Sequence, residues 1–235
     1  MRPAPRERRP TYTREQIVQA ALRIADEEAF EAVSMRRVAA ELGAGTMTLY
    51  HYVPTKEALV ALMADAIMGE LVVPEDELPD GWREGLIEIA RRTRGVFARH
   101  PWIGGHLDEG EDEPAGPNAL RHFEQSLAVA ARTGTSVERQ FEIVALVDDF
   151  VFGYAIRARS EPMLGDDEAG RRHLELMLAY IEKQLATGEF PYLESFAGDD
   201  PKTAFMRFAE LAGSEDRFER GLNFLLDGIE ASLRR

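Results

Sequence analysis

Between Ser34 and Val53 the chain reads SMRRVAAELGAGTMTLYHYV. Thr46, Thr48, Tyr50, His51 and Tyr52 fall within its second half. Each carries a hydroxyl or a ring nitrogen that can bond a phosphate oxygen or a base edge. A helix packed into a core has no reason to carry so many groups in need of partners. The stretch from Leu42 to Thr55, 14 residues, also lacks Asp, Glu, Lys and Arg. Its contacts would therefore be hydrogen bonds and methyl contacts rather than ion pairs. Arg36 and Lys56 flank it and can supply charge.

Other chemistries find less support. With no cysteine among 235 residues, disulfide scaffolds, Cys-ligated zinc, iron–sulfur clusters and thiol catalysis are excluded. There is no Gly-rich phosphate loop, no His/carboxylate metal spacing and no nucleophile with its base. No enzyme, metal or cofactor is expected. The acidic run 108–113 lacks the alternating ligands of a calcium loop and reads as solvated. Asp148 and Asp149 are neighbours on a helix, about 100° apart. They cannot serve one ligand atom as acid and base. One is expected to meet a partner across an interface, the other to face a pocket.

The elements around the 34–53 segment read as helices almost throughout. Thr13 with Gln16 forms a capping box, followed by Ile17, Ala20, Ala21 and Ile24 at helical spacing. Residues 29–33 break the pattern. Ser34 caps a short helix to Leu42, with Val38, Ala39 and Leu42 inward; Gly43 ends it where φ is positive. After the turn at 43–45, a third helix spans about Thr46 to Tyr52. Pro54 stops it, and Thr55 caps a fourth that buries Leu59, Leu62, Met63, Ala66 and Ile67. Residues 72–81 hold two prolines and read as a joint.

A fifth helix then places Trp82, Leu86, Ile89, Ala90 and Phe97 on one side and ends at His100-Pro101. Beyond it come a short turn near Trp102 and an acidic Gly/Pro loop at 108–117. A helix from about Asn118 to Arg132 follows, burying Leu120, Phe123 and Leu127. Ser136 caps a helix apolar on nearly every side from Phe141 to Ile156, which must be covered on nearly every side. The next helix carries Leu174, Met177, Leu178, Ile181 and Leu185. Loop 188–201 holds a short helical turn. A last helix from near Ser214 sets Phe218, Leu222, Leu225, Leu226, Ile229 and Leu233 on one face. No strand and no internal repeat is found.

The net charge of −14 is unevenly spread. Residues 1–60 hold nine Lys/Arg against eight Asp/Glu, and the remainder 19 against 34. A duplex-binding head on an acidic body fits this distribution. The Arg-rich start, MRPAPRERRP, reads either as a solubilising tail or as a minor-groove arm. It has no apolar core for a secretory signal, and no stretch reaches the roughly 18 apolar residues of a membrane span. A cytoplasmic protein without a membrane partner is expected.

The run L-G-x-x-x-x-T-L-Y-H-Y-V-P-T-K-E-A-L from Leu42 to Leu59, with S-M-R-R-V-A before it, resembles the TetR family of bacterial repressors. RFERGLNFLLDGIEA, residues 217–231, resembles the end of the tetracycline-repressor branch. The resemblance implies an all-α fold: a flexible basic arm (1–12), a three-helix helix-turn-helix DNA-binding domain (13–71, the fourth helix as connector), and a helical ligand-binding and dimerisation domain (72–235). By position it implies that Arg36 reaches a base, that Thr46, Met47 and Thr48 form the reading tip, and that Tyr50, His51, Tyr52 and Lys56 contact groove wall and phosphate. Leu49 and Val53 match core positions.

The resemblance further implies a homodimer through Phe152, Leu222, Leu225 and Ile229, on a palindromic operator with half-sites about one helical turn, or a multiple, apart. It implies an effector pocket from Phe97, Trp102, His106, Phe123, Phe150, Tyr154 and Met177. Ala44-Gly45-Thr46-Met47 departs from the tetracycline repressor, so the operator is expected to differ. Where that branch makes its polar drug and metal contacts, this chain has Val72, Ile89, Thr93 and Arg157, with only His106 retained. A mostly apolar or aromatic effector bound without metal is expected, favouring the state whose heads mismatch the half-site spacing. The alternatives are an all-helical enzyme and a scaffold with a vestigial head.

Overall fold

The computed structural model describes residues 12–103, 116–158, 168–198, 200–214 and 216–234. Among them are eleven α-helices and no strand. They fall into two compact units, Met1–Val151 and Phe152–Arg235.

The first unit opens with α1 (Arg14–Glu28), held at its start by the Thr13/Gln16 capping box. A 3-10 turn, Phe30–Ala32, leads to α2 (Met35–Glu41), α3 (Thr46–Tyr50) and α4 (Lys56–Leu71). Ser34 and Thr55 cap α2 and α4 through their hydroxyls, accepting from Arg37 N and Ala58 N. Gly43 takes φ 64°, which spares the turn before α3 the cost a Cβ would bring. α3 stops at Tyr50, two residues earlier than expected, with His51 and Tyr52 in a turn. Ile17, Ala20, Ala21, Ile24, Val38, Leu49, Val53 and Leu59 are buried in this head.

α5 (Trp82–Arg99) and α6 (Pro117–Ala131) complete the first unit with the start of α7 (Val137–Ala158). The α4 expectation is corrected in part: Leu62 and Ala66 are half-buried, while Val60 and Leu71 are buried. Trp82 is half-buried. The α6 expectation is corrected more strongly. Leu120 and Phe123 are exposed and Leu127 half-buried; Ser126, Val129 and Ala130 are buried instead. The reason is that α6 turns a polar face, Asn118, His122 and Gln125, toward α4 and the joint after it. Gly69 permits that approach: a Cβ there would stand 2.9 Å from Asn118 Nδ2. α7 buries Ile143, Val144, Val147, Val151 and Ala155, whereas Phe141, Leu146 and Ile156 are exposed, so one side of this apolar helix lacks the cover expected of it.

The second unit holds the end of α7, then α8 (Glu168–Leu185), α9 (Pro191–Ala197), α10 (Pro201–Gly213) and α11 (Asp216–Leu233). Of the five α8 residues expected inside, only Leu178 is buried. α10 was not expected; Asp200 caps it by accepting from the Lys202 and Thr203 amides. On α11, Phe218, Leu222, Leu226 and Ile229 are buried, with Leu225 and Leu233 half-buried. Residues 1–11 of the expected basic arm 1–12, the acidic loop up to residue 115 and the turn beyond Ile103 lie outside the described residues. Among the described residues no helix is long and apolar enough to cross a membrane.

Candidate nucleic-acid interface

The outward surface of α3 is built by burying its back. Leu49 and Val53 are fully buried, which seats α3 against α2 and turns the rest of α3 outward. Met47 is 72% and Tyr50 41% exposed. Arg36, His51 and Lys56 are exposed, and Thr46, Thr48 and Tyr52 half-buried. These eight candidates lie on α2, on α3, on the turn after it and at the first residue of α4. Hydroxyls and an imidazole without a buried role, beside two cations, suit phosphate oxygens and base edges.

The two adjacent arginines of α2 have different fates. Arg37 donates to Glu28 through Nε (3.1 Å) and Nη2 (2.6 Å), and to Glu41 through Nη1 at 3.0 Å. Those carboxylates push the guanidinium pKa up, and Arg37 in turn holds the Glu28 carboxyl below its ordinary range. Arg36 has no ion pair among the described residues and is exposed. Arg37 thus braces α2 against α1, leaving Arg36 to reach outward. The Arg37–Glu41 pair is visible in the sequence as an i,i+4 spacing. Its pairing with Glu28 is not, because it crosses the bend between helices.

Two further clamps hold α3. The Tyr12 hydroxyl donates to the Leu42 carbonyl at 2.9 Å, and Arg14 Nε donates to the Tyr52 carbonyl at 2.9 Å. Both satisfy carbonyls that the ends of α2 and α3 leave open. The Lys56 ammonium stands 5.9 Å from the Phe30 ring centroid, near enough for attraction by the ring face.

Behind the head, residues after α5 are tied to α1 and α4. His100, buried, lies with Nδ1 2.8 Å from Asp26 Oδ1 and Nε2 3.4 Å from Glu70 Oε2. Trp102 donates its indole N–H to the same Asp26 oxygen at 2.7 Å and stacks on Phe30 at 5.2 Å. Burial pushes the Glu70 carboxyl up, but Arg99 and His100 outweigh it and hold the pKa down. Trp102, expected in a pocket wall, therefore spends its polar atom and its stacking face on the head.

The other expected pocket residues are scattered in their surroundings. Phe97 is buried. Phe123 is 40% exposed, its ring 5.6 Å from Phe141. Phe150 is half-buried. In the second unit Tyr154 meets Phe218 edge-on at 5.0 Å, with the Arg217 guanidinium 5.5 Å above it, and Met177 is half-buried. His106 lies outside the described residues. Of the expected interface residues, Leu222 and Ile229 are covered within the chain, Leu225 and Phe152 are half-buried, and Phe224 stands 74% exposed.

Sequence reasoning passed over the seam between α4 and α6. Asp65 on α4 accepts from the Asn118 backbone amide at 2.9 Å, capping the start of α6 from another helix. Gln125 binds both backbone groups of Val73, Nε2 to O at 2.7 Å and Oε1 from N at 2.9 Å. His122 bonds the Leu71 carbonyl, while its Nδ1 is buried without any partner. Desolvation pushes the imidazole pKa down against that bond. The ring is held neutral, with Nε2 donating and Nδ1 a bare acceptor. The signal was available: polar residues at 118, 122 and 125 share one helix face. Thr93, by contrast, is satisfied internally, its hydroxyl donating to the Ile89 carbonyl at 2.9 Å. Among the described residues no group of three or more His, Asp or Glu is placed to hold a metal ion.

Residues 17–63 match the model of the bacterial regulatory proteins, tetR family, and residues 73–233 that of the tetracyclin repressor-like C-terminal domain. The chain is 36% identical over 226 residues to the HTH-type transcriptional repressor DrrR1 of Streptomyces coeruleorubidus, spanning 94% of this chain and 78% of that one. It is 30% identical over 225 residues to an HTH-type transcriptional regulator of Saccharopolyspora erythraea, spanning 95% and 87%. The solved structure of the Streptomyces coelicolor TetR family protein ActR in complex with actinorhodin aligns with TM-score 0.65 and 29% identity, over 95% of this chain and 98% of that one.

Proposed function

The chain belongs to the TetR family of bacterial transcription regulators and is not an enzyme; on that premise we propose that it represses by binding a palindromic operator as a homodimer and lets go when a mostly apolar, aromatic effector binds. The observation that carries the DNA reading is the outward surface of α3 beside the unpaired Arg36, with Arg37 committed to Glu28 and Glu41. The domain division that goes with it is a basic arm before residue 13, a DNA-binding head to residue 71, and a ligand-binding and dimerisation region beyond. Within the second unit, exposed Ile156 at the end of α7 and exposed Phe224 on α11 are apolar surface that a second copy would cover. That choice moves the interface away from Leu222 and Ile229.

The effector reading rests on what the chain offers in place of polar drug and metal contacts. Ile89 is apolar, and the Thr93 hydroxyl is committed to its own helix. An Arg at position 157 is unfavourable beside a metal's water shell. The bare Nδ1 of His122 supplies one polar point that would accept a hydrogen bond from an effector hydroxyl. Phe97, Phe123 and Phe150 are the aromatic candidates in the same unit. ActR, similar over nearly the whole chain, is solved with actinorhodin, which makes that compound a rational first probe. The test is fluorescence anisotropy of the protein on duplex DNA from upstream of its own gene, titrated with actinorhodin in EDTA and, separately, with tetracycline and magnesium. Release by the aromatic probe in EDTA supports the reading. Magnesium-dependent release by tetracycline would overturn the effector half of it, and failure to bind any duplex would overturn the whole.

A further inference from the structure

Helices α8, α9 and α10 bury almost nothing of themselves. Among their described side chains only Leu178 and Ala204 are buried. α9, seven residues reading PYLESFA, buries none. A helix of that length is not stable alone in water, and two buried side chains offset little of the entropy lost in ordering three helices. The three pack on one another, yet their large apolar side chains stand exposed: Tyr192 (90%), Leu193 and Phe196 on α9, Phe208 and Leu211 on α10, and Tyr180 on α8. With aromatic side chains at about 150–250 Å² each, these six expose roughly 700 Å². The largest apolar patch of an ordinary monomer is about 300–600 Å², whereas one partner's share of a stable interface is about 800 Å².

The charges among these side chains indicate what covers them. Glu194 on α9 and Lys202 and Arg207 on α10 are exposed. Both signs are present, so the surface can meet its own copy about a two-fold axis with carboxylate opposite cation. A helix that lies on lipid is set with Lys and Arg. α9 has neither, and an anionic membrane repels a chain of net charge −14. The surface also continues the dimer face: α10 packs on α11, which carries the exposed Phe224.

We propose that α8, α9 and α10 form a self-association surface, which holds a second copy of this chain through helices other than α7 and α11. This rests on the homodimer reading above. Sedimentation of the full-length chain over a concentration series tests it, wild type against the double variant Tyr192→Glu with Phe196→Glu. Neither side chain is buried in the single chain, so circular dichroism and Tm at concentrations where both proteins are monomers should match. Self-association should weaken at least about thirtyfold, as loss of central aromatic contacts implies. Phe208→Glu on α10 gives a second reading that leaves Tyr192 in place. Hydroxyl radicals should oxidise Tyr192 several-fold faster in that variant than in the wild-type dimer. Equal oxidation rates, or a double variant that associates as tightly as the wild type, would assign the surface to some other partner and overturn the inference alone. A wild type that stays monomeric at micromolar concentration would overturn the homodimer reading beneath it.

Discussion

Arg37 and Glu28 face each other across the bend between α1 and α2, guanidinium Nη2 2.6 Å from the carboxylate. This contact, with Glu41 on the other side, makes Arg37 a brace and leaves the adjacent Arg36 exposed, the residue proposed to read a base. Arg37→Ala should lower the melting temperature of the head and weaken every duplex alike through misplacement of α2. Arg36→Ala should leave the melting temperature unchanged and relax preference at one operator position, at a cost of roughly 1–3 kcal/mol if the contact is a bidentate one to a base. Thermal melts paired with binding to single-base operator variants check both.

Tyr50→Phe and Lys56→Ala remove proposed phosphate contacts. Binding should weaken on all sequences together; loss of the Lys56 ammonium should flatten the salt slope by about 0.9, and loss of the uncharged Tyr50 hydroxyl should leave it unchanged. Sequence preference that shifts in either variant would place that residue on a base instead.

The seam residue Gln125 closes both backbone groups of Val73, which is itself buried. Gln125→Ala leaves a buried donor and acceptor without partners. Urea unfolding should show a loss of about 1–3 kcal/mol per group so exposed to desolvation.

Two groups give opposite pH signatures. Burial, with a smaller push from Asp149, raises the Asp148 pKa to about 6. Between the unfolded value near 4 and that folded value the native state holds the extra proton, so this group's contribution to stability falls as pH rises. Asp148→Asn should add about 1–2 kcal/mol at pH 7 after allowance for its partial exposure, and nothing below about pH 4. His122 is depressed below 6.5 by desolvation. There the unfolded chain takes the proton first, so stability is lost as pH falls through and below the ordinary His range. His122→Gln should flatten that loss. Unfolding curves of the two variants at several pH values separate the slopes.

Phe224 and Leu222, two residues apart on α11, should behave as opposites. Leu222 is fully buried in the single chain, so Leu222→Ala should cost about 2–5 kcal/mol of stability. Phe224→Glu, on the exposed side, should yield a folded chain that sediments as a monomer and loses operator affinity.

Most helix ends could be read locally because their chemistry is local. Thr13 with Gln16, Ser34, Gly43 and Thr55 each act on backbone within a turn of themselves. The outward surface of α3 was readable for a related reason: Thr46, Met47, Tyr50 and His51 break the apolar pattern that Leu49 and Val53 continue. What escaped depends on partners distant in sequence. Glu28 on Arg37, Asp26 on His100 and Trp102, and Leu71 on His122 are choices made by packing, not by spacing. Leu120 and Phe123 were expected inside because apolar side chains usually are. The polar face of α6 won the inward position since Asp65 and the backbone of Leu71 and Val73 there required partners.

Selection of duplexes from a random pool by the full-length protein, followed by sequencing and by measurement of protomers per bound duplex, tests the central claim most directly. The account predicts an inverted repeat with half-sites about one helical turn, or a multiple, apart. It also predicts two protomers per pair of half-sites, and one position in each half that loses its preference in Arg36→Ala. A pool that emerges without an enriched sequence, or a single unrepeated site bound by one protomer, would contradict it.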